Sequence, residues 1–262
     1  MNLENLVREN RFTISVVFPL FGAITLLASA EGLLPDILSY NPYFIIFGTL
    51  VMRLPLIAGL EPLLDKKALG GLGLLTLYSY FIEIVGVETG FPYGQFQYGI
   101  ELGPMILGKI PLGLPVFFIP LVVNAYLLIL LLFPGRTEKL VPRILAVIGT
   151  VLFLDLVLDP AAVAISFWSY SQGLYYGVPL SNYLGWMISA TVAVLLLDFS
   201  LDRRKLFERL ENCEFMLDDM VSFVFLWGLV NLYFLQLVPF VLSMVIGVAL
   251  WKTERFDWVS KF

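Results

Sequence analysis

Histidine is absent from the 262 residues of this chain, cysteine occurs once, and only 14% of the residues are charged. Without histidine the chain cannot assemble a Ser-His-Asp triad, a His-ligated haem or the usual zinc site, and no metal is expected. The lone Cys213 excludes an intrachain disulfide. Gly70-Gly71-Leu72-Gly73 is too short for either Gly-rich phosphate-binding motif and reads as a flexible turn ahead of a helix. No basic patch interleaved with aromatics argues for nucleic acid, and the net charge of -5 is spread over short segments and names no partner. No internal repeat and no linker long enough to separate domains stands out, so residues 1-262 read as a single transmembrane domain.

What fills the chain instead is apolar: 59% of the residues are hydrophobic and the mean hydropathy is +0.89, far outside the range of a soluble domain. A bilayer core needs roughly 20 apolar residues per helix. Eight stretches answer: 12 to 34, 42 to 61, 71 to 88, 114 to 133, 143 to 164, 181 to 199, 218 to 235 and 237 to 251. The expected fold is therefore an all-α polytopic membrane bundle of eight transmembrane helices. Fourteen of the sixteen basic residues then fall on one side, from Arg8 and Arg11 at the start to Lys252, Arg255 and Lys261 at the end. By the positive-inside rule that side is cytoplasmic, with both termini there, in a multi-pass protein of the cell membrane. Ala28-Ser29-Ala30 resembles a signal-peptidase site, but the apolar region before it is too long for a signal peptide, and the segment is read as a span.

Ionisable residues inside such spans are costly and point to function. Asp155 and Asp159 stand four residues apart in the apolar run Ile144 to Phe167. Four residues is close to one helical turn, so both carboxylates lie on one face. Burial and a like neighbour both favour the neutral acid, so the pair is a place where a proton can be stored and donated. With alternate spans running in opposite directions, Glu83 and Asp155 fall near mid-membrane and Glu88 and Asp159 nearer the outer surface. Arg53 falls at middle depth, where it either staples helices by pairing one carboxylate or keeps one acid–base partner ionised. Glu31, Glu61 and Asp198 lie near span ends and read as interfacial anchors, while Asp218 and Asp219 open a helix, where negative charge is favourable.

The outer loops are the other concentration of unusual residues. One runs from Glu88 through Phe91, Tyr93 and Gln95 to Tyr98; another carries Trp168, Tyr170, Tyr175, Tyr176, Asn182, Tyr183 and Trp186. An interfacial aromatic belt accounts for any one of them. Together, with Gly, Pro, Gln and Asn among them, they suit a concave and largely apolar site for a long, flat, greasy ligand.

Three strings carry a resemblance: Thr89-Gly90-Phe91-Pro92-Tyr93-Gly94, Leu158-Asp159-Pro160-Ala161-Ala162-Val163, and Tyr175-Tyr176-Gly177-Val178-Pro179 followed by Asn182-Tyr183 and Gly185-Trp186. With them the chain resembles the CruF-type carotenoid hydratases over most of its length. The resemblance implies addition of water across the terminal carbon–carbon double bond of an acyclic carotenoid end group, as from bisanhydrobacterioruberin to bacterioruberin. It implies a carotenoid substrate in membrane lipid, water as co-substrate and no redox cofactor, and it is compatible with association with other carotenoid-biosynthesis enzymes. Hydrating a trisubstituted alkene needs an acid, shelter for a tertiary cation and a base for the incoming water. The expected acid–base set is Asp155 or Asp159 with Glu83 or Glu88, supported by Arg53, with Asp159 the better candidate for chemistry. Phe91, Tyr93, Gln95, Trp168, Tyr175, Tyr176, Asn182, Tyr183 and Trp186 are expected to hold the end group. Two other classes use the same parts: a proton-coupled transporter and a non-catalytic carotenoid-binding protein.

Overall fold

The computed structural model describes residues 2–253, so Arg255 and Lys261 of the expected cytoplasmic cluster lie outside the described residues. A short helix α1 (Leu3–Glu9) leads through a π-helical turn at Thr13–Val17 into α2 (Phe18–Ala30), followed by α3 (Pro42–Leu60) and α4 (Lys66–Thr89). Then come α5 (Leu114–Leu132), α6 (Leu140–Ala164), α7 (Leu180–Ser200), α8 (Arg203–Asn212), α9 (Asp218–Tyr233) and α10 (Leu237–Trp251). Polar side chains cap several of these helices where the pattern demands it: Asn41 accepts from the backbone N–H groups of Tyr43 and Phe44, and Asp65 from that of Ala68.

Each of the eight expected apolar stretches is helical over most of its length, and among the described residues six helices are long and apolar enough to cross a membrane. The last two are the shorter ones: α9 has 16 residues and ends two residues before the expected stretch does, and α10 has the 15 expected, or about 24 Å of helix at about 1.5 Å per residue. The break between them falls at Leu235, whose φ of +55° cannot continue a helix. The fold is an all-α polytopic membrane bundle.

The Gly70–Gly73 segment is not a turn. It lies inside α4, whose cap is Asp65. Gly71 presses on Ser200 of α7, where a Cβ would stand 2.1 Å from the serine Cβ, so its lack of a side chain sets helix contact rather than flexibility. At the bundle centre α5 packs on α3, α4, α6, α7 and α8, and most of its residues are buried. A second centre forms where α9 packs on α2, α3, α6 and α10.

Arg53 follows from this packing. Its helix, α3, lies against α5 and α9, and the guanidinium pairs with the buried Asp219 at the start of α9, which also accepts from Asn124. Pro120 in α5 has no N–H to give the carbonyl four residues back, and that freed carbonyl, on Val116, accepts from Arg53 Nε at 3.3 Å. Arg53 therefore staples α3, α5 and α9, and the expectation that it serves one of the site carboxylates is corrected. Asp218 similarly holds Arg11, at 2.7 and 2.9 Å. Asp198, near the end of α7, is the partner of the buried Arg143, with Tyr126 donating to it.

The connections at the other end of the bundle carry the little β structure there is. Strand β1 (Phe96–Tyr98) pairs antiparallel with β4 (Trp168–Tyr170), and β2 (Met105–Ile106) with β3 (Ile110–Pro111). The first ladder sets Phe96 opposite Tyr170 and Tyr98 opposite Trp168. It ties the connection after α4 to the one after α6, which positions the site.

Candidate active site

Alternation along β1 and β4 puts Phe96, Tyr98, Trp168 and Tyr170 on one face, while Gln97 and Ser169 are exposed on the other. The aromatic face roofs a cavity of about 100 Å³, for which α4 supplies Glu83, α6 supplies Leu158 and Asp159, and α7 supplies Asn182 and Trp186. Phe117 and Phe118 of α5, Phe167, and Trp227 of α9 complete its apolar walls. Trp186 stacks on Phe118 with ring centres 5.1 Å apart. Cavities of this order accept a small hydrocarbon group: an engineered one of about 150 Å³ binds benzene.

Two carboxyl groups face this space from different helices. Tyr98 donates to Glu83, and Tyr170 donates to Asp159 Oδ2 at 3.2 Å, so the two strands of the roof each hold one of them. Burial, followed by the charge of Glu83, pushes the Tyr98 phenol well above its ordinary value. Burial and then Asp159 do the same for Tyr170, so both phenols remain donors. Asp155 lies one turn back along α6 and is fully buried. Asn182 joins the two aspartates, its Nδ2 donating to Asp155 Oδ2 at 2.9 Å and to Asp159 Oδ2 at 2.5 Å. Asp155 Oδ1 has no hydrogen-bond partner among the described residues.

Local features of the sequence set this geometry. Pro160, directly after Asp159, leaves the Leu156 carbonyl without its helical donor, and Tyr175 Oη supplies one at 3.3 Å. Gly185 lets Tyr93 lie against α7, since a Cβ there would stand 2.5 Å from the Tyr93 ring. Tyr93 then shares the Ser189 hydroxyl, at 2.6 Å, with Tyr78 of α4, at 3.1 Å. Gly90, at φ +77°, ends α4 in the left-handed conformation that glycine adopts freely, and turns the chain toward Tyr93.

Comparison with known proteins places the chain in a family. A family described as "Carotenoid biosynthesis protein" matches residues 40–250, which include every residue of the cavity. The chain belongs to that family. A curated relative named bisanhydrobacterioruberin hydratase, from Haloarcula japonica, is 60% identical over 255 residues, covering 97% of this chain and 87% of that protein. No solved structure matches.

In this carotenoid biosynthesis protein the residues singled out from sequence separate into three groups. Glu83, Tyr93, Asp159, Trp168, Asn182 and Trp186 line one cavity, with Asp155 behind Asp159. Tyr175, Tyr176 and Tyr183 pack together beside it, with ring centres 4.9 and 6.3 Å from Tyr175, and do not line it. Glu88 pairs with Lys109 and Phe91 is 60% exposed, while Gln95 donates to the Thr89 carbonyl at 3.2 Å. Those three belong to the surface of the connection, and Arg53 belongs to the α9 staple. The roles of Tyr98 and Tyr170 were not foreseen, although Phe96-Gln97-Tyr98 and Trp168-Ser169-Tyr170 share an aromatic–polar–aromatic pattern that marks half-buried strands. Trp227 and Phe117 gave no signal, because an aromatic inside an apolar helix looks the same whether it faces lipid, core or cavity, and Phe167, between α6 and β4, reads as the end of the same apolar run.

Proposed function

We propose that this protein is a carotenoid hydratase of the cell membrane, adding water across the terminal double bond of an acyclic carotenoid end group. The observation that carries the reading is a largely apolar chamber in which two carboxyl groups from different helices, Asp159 and Glu83, face one space. The name of the 60% identical relative supplies the substrate class.

In this reading Asp159 is the acid. Two carboxyl groups one turn apart and joined by one amide cannot both carry charge in a dry interior, so Asp155 and Asp159 keep a proton between them. Asp159 gives that proton to the less substituted alkene carbon. The π bond breaks and leaves a tertiary cation, which the faces of Trp186, Trp168 and Phe118 shelter. Water attacks the cation while Glu83, oriented by Tyr98, takes a proton from it. The tertiary alcohol forms, and a proton returns across the chamber from Glu83 to the aspartate pair. Oxidation state does not change overall, so the chemistry calls for no redox partner.

The test is coexpression in a host that makes an acyclic carotenoid, followed by mass measurement of the extracted pigment. A gain of one water per hydrated end, abolished by Asp159→Asn, is expected. Unchanged pigment with intact protein in the membrane would refute the reading.

A further inference from the structure

A second cavity, of about 690 Å³, lies between α2 and α3 and reaches α9. It shares Phe117, Phe167 and Trp227 with the acid chamber, so one aromatic partition separates the two. Phe167 and Trp227 meet edge to face there, with ring centres 6.2 Å apart. The far side opens toward the lipid-facing surface of the bundle, where Phe21 and Phe44 at the cavity margin are exposed.

The polar groups of this cavity's wall are engaged with the protein itself. The hydroxyls of Thr25, Ser29 and Thr49 donate to carbonyls of their own helices at 2.7 to 2.9 Å. Tyr40 Oη donates to the Ile165 carbonyl at 2.9 Å, and Asn41 caps α3. What remains for an occupant is methyl groups and ring faces, which suits a ligand segment with no polar atom. Width comes from two glycines on facing helices, Gly22 on α2 and Gly48 on α3. A Cβ at either meets nothing closer than 3.4 Å.

We propose that this cavity holds the conjugated polyene of the substrate while its end group crosses the partition of Phe117, Phe167 and Trp227 into the acid chamber. The inference rests on the hydratase reading for the identity of the occupant. Continuity with the acid chamber, and the absence of any free polar group to bind a headgroup, favour the polyene over a phospholipid. The substrate then enters sideways from the bilayer between α2 and α3. A carotenoid with two reactive ends must withdraw and re-enter to have both hydrated.

Asp159→Asn supplies the protein for the test, because it removes the acid without touching the groove. Purified from a host making an acyclic carotenoid, it should retain unhydrated pigment. Adding Gly22→Leu or Gly48→Leu, on separate helices, should lower retained pigment about tenfold, equivalent to about 1.4 kcal/mol of binding. With Asp159 intact, the same leucines should lower hydration to a similar degree. A second measurement needs no glycine variant: in pigmented Asp159→Asn protein, α2 and α3 should be protected from a lipid-soluble carbene reagent. Retained pigment and hydration unaffected by either leucine, or no protection of α2 and α3, would overturn the groove. Hydrated pigment from Asp159→Asn would instead overturn the acid assignment, and because pigment retention is read separately, the two failures are distinguishable.

Discussion

In the proposed reaction Asp159 and Glu83 carry the chemistry, which separates them from the ionisable residues that resemble them in sequence. Asp159→Asn and Glu83→Gln should each lower hydration by about a hundredfold or more, the scale of a lost acid or base, in a pigment-mass assay normalised to membrane protein. Glu88→Gln should leave it near the unsubstituted rate, because that carboxylate pairs with Lys109 at the surface. Arg53→Met should act on stability. It leaves Asp219 buried without its cation, a loss of about 3–5 kcal/mol, read as a lower thermal midpoint in detergent with hydration per folded molecule retained. The Asp155–Asp159 spacing was legible in the sequence because helical periodicity alone brings those two together. The partner of Arg53 was not legible, since depth in the membrane says which residues share a layer but not which helices touch.

The pairing of β1 with β4 is the element on which the site depends. It brings two connections 70 residues apart into one roof and lets Tyr98 hold Glu83 while Tyr170 holds Asp159. Gly99, directly after β1, lies against the Ser166 carbonyl, where a Cβ would stand 2.2 Å from the oxygen. Gly99→Ala should therefore displace β1 at a cost of about 1–3 kcal/mol. Hydration should fall while helix content, by circular dichroism, stays the same. Tyr98→Phe should lower the rate without adding or removing a limb of the pH profile below about pH 10, because its phenol already keeps its proton beyond the ordinary tyrosine value. Such short strands are hard to read from sequence: each contributes three residues, and their partner is set by where α4 and α6 end.

Across the whole molecule, apolar runs were enough to place the eight apolar helices, though not α1 or the polar α8, because a long hydrophobic segment in a bilayer has few alternatives to helix. The division between a stapled region at α3, α5 and α9 and a reactive region at α4, α6 and α7 depended on packing, which hydropathy does not encode. That division assigns Arg53–Asp219 and Arg143–Asp198 to holding the bundle together, and leaves Asp155, Asp159 and Glu83 without a cation within salt-bridge distance among the described residues. A transporter needs a continuous polar path, whereas these carboxyls open on a largely apolar chamber next to an apolar groove. The most direct measurement of the central claim is the fate of water oxygen. Membranes containing the protein, given an acyclic carotenoid in water enriched in oxygen-18, should yield pigment carrying one labelled hydroxyl per hydrated end, and Asp159→Asn membranes should yield none. Equal labelling from Asp159→Asn, or unlabelled pigment from the unsubstituted protein present at normal levels, would contradict the account.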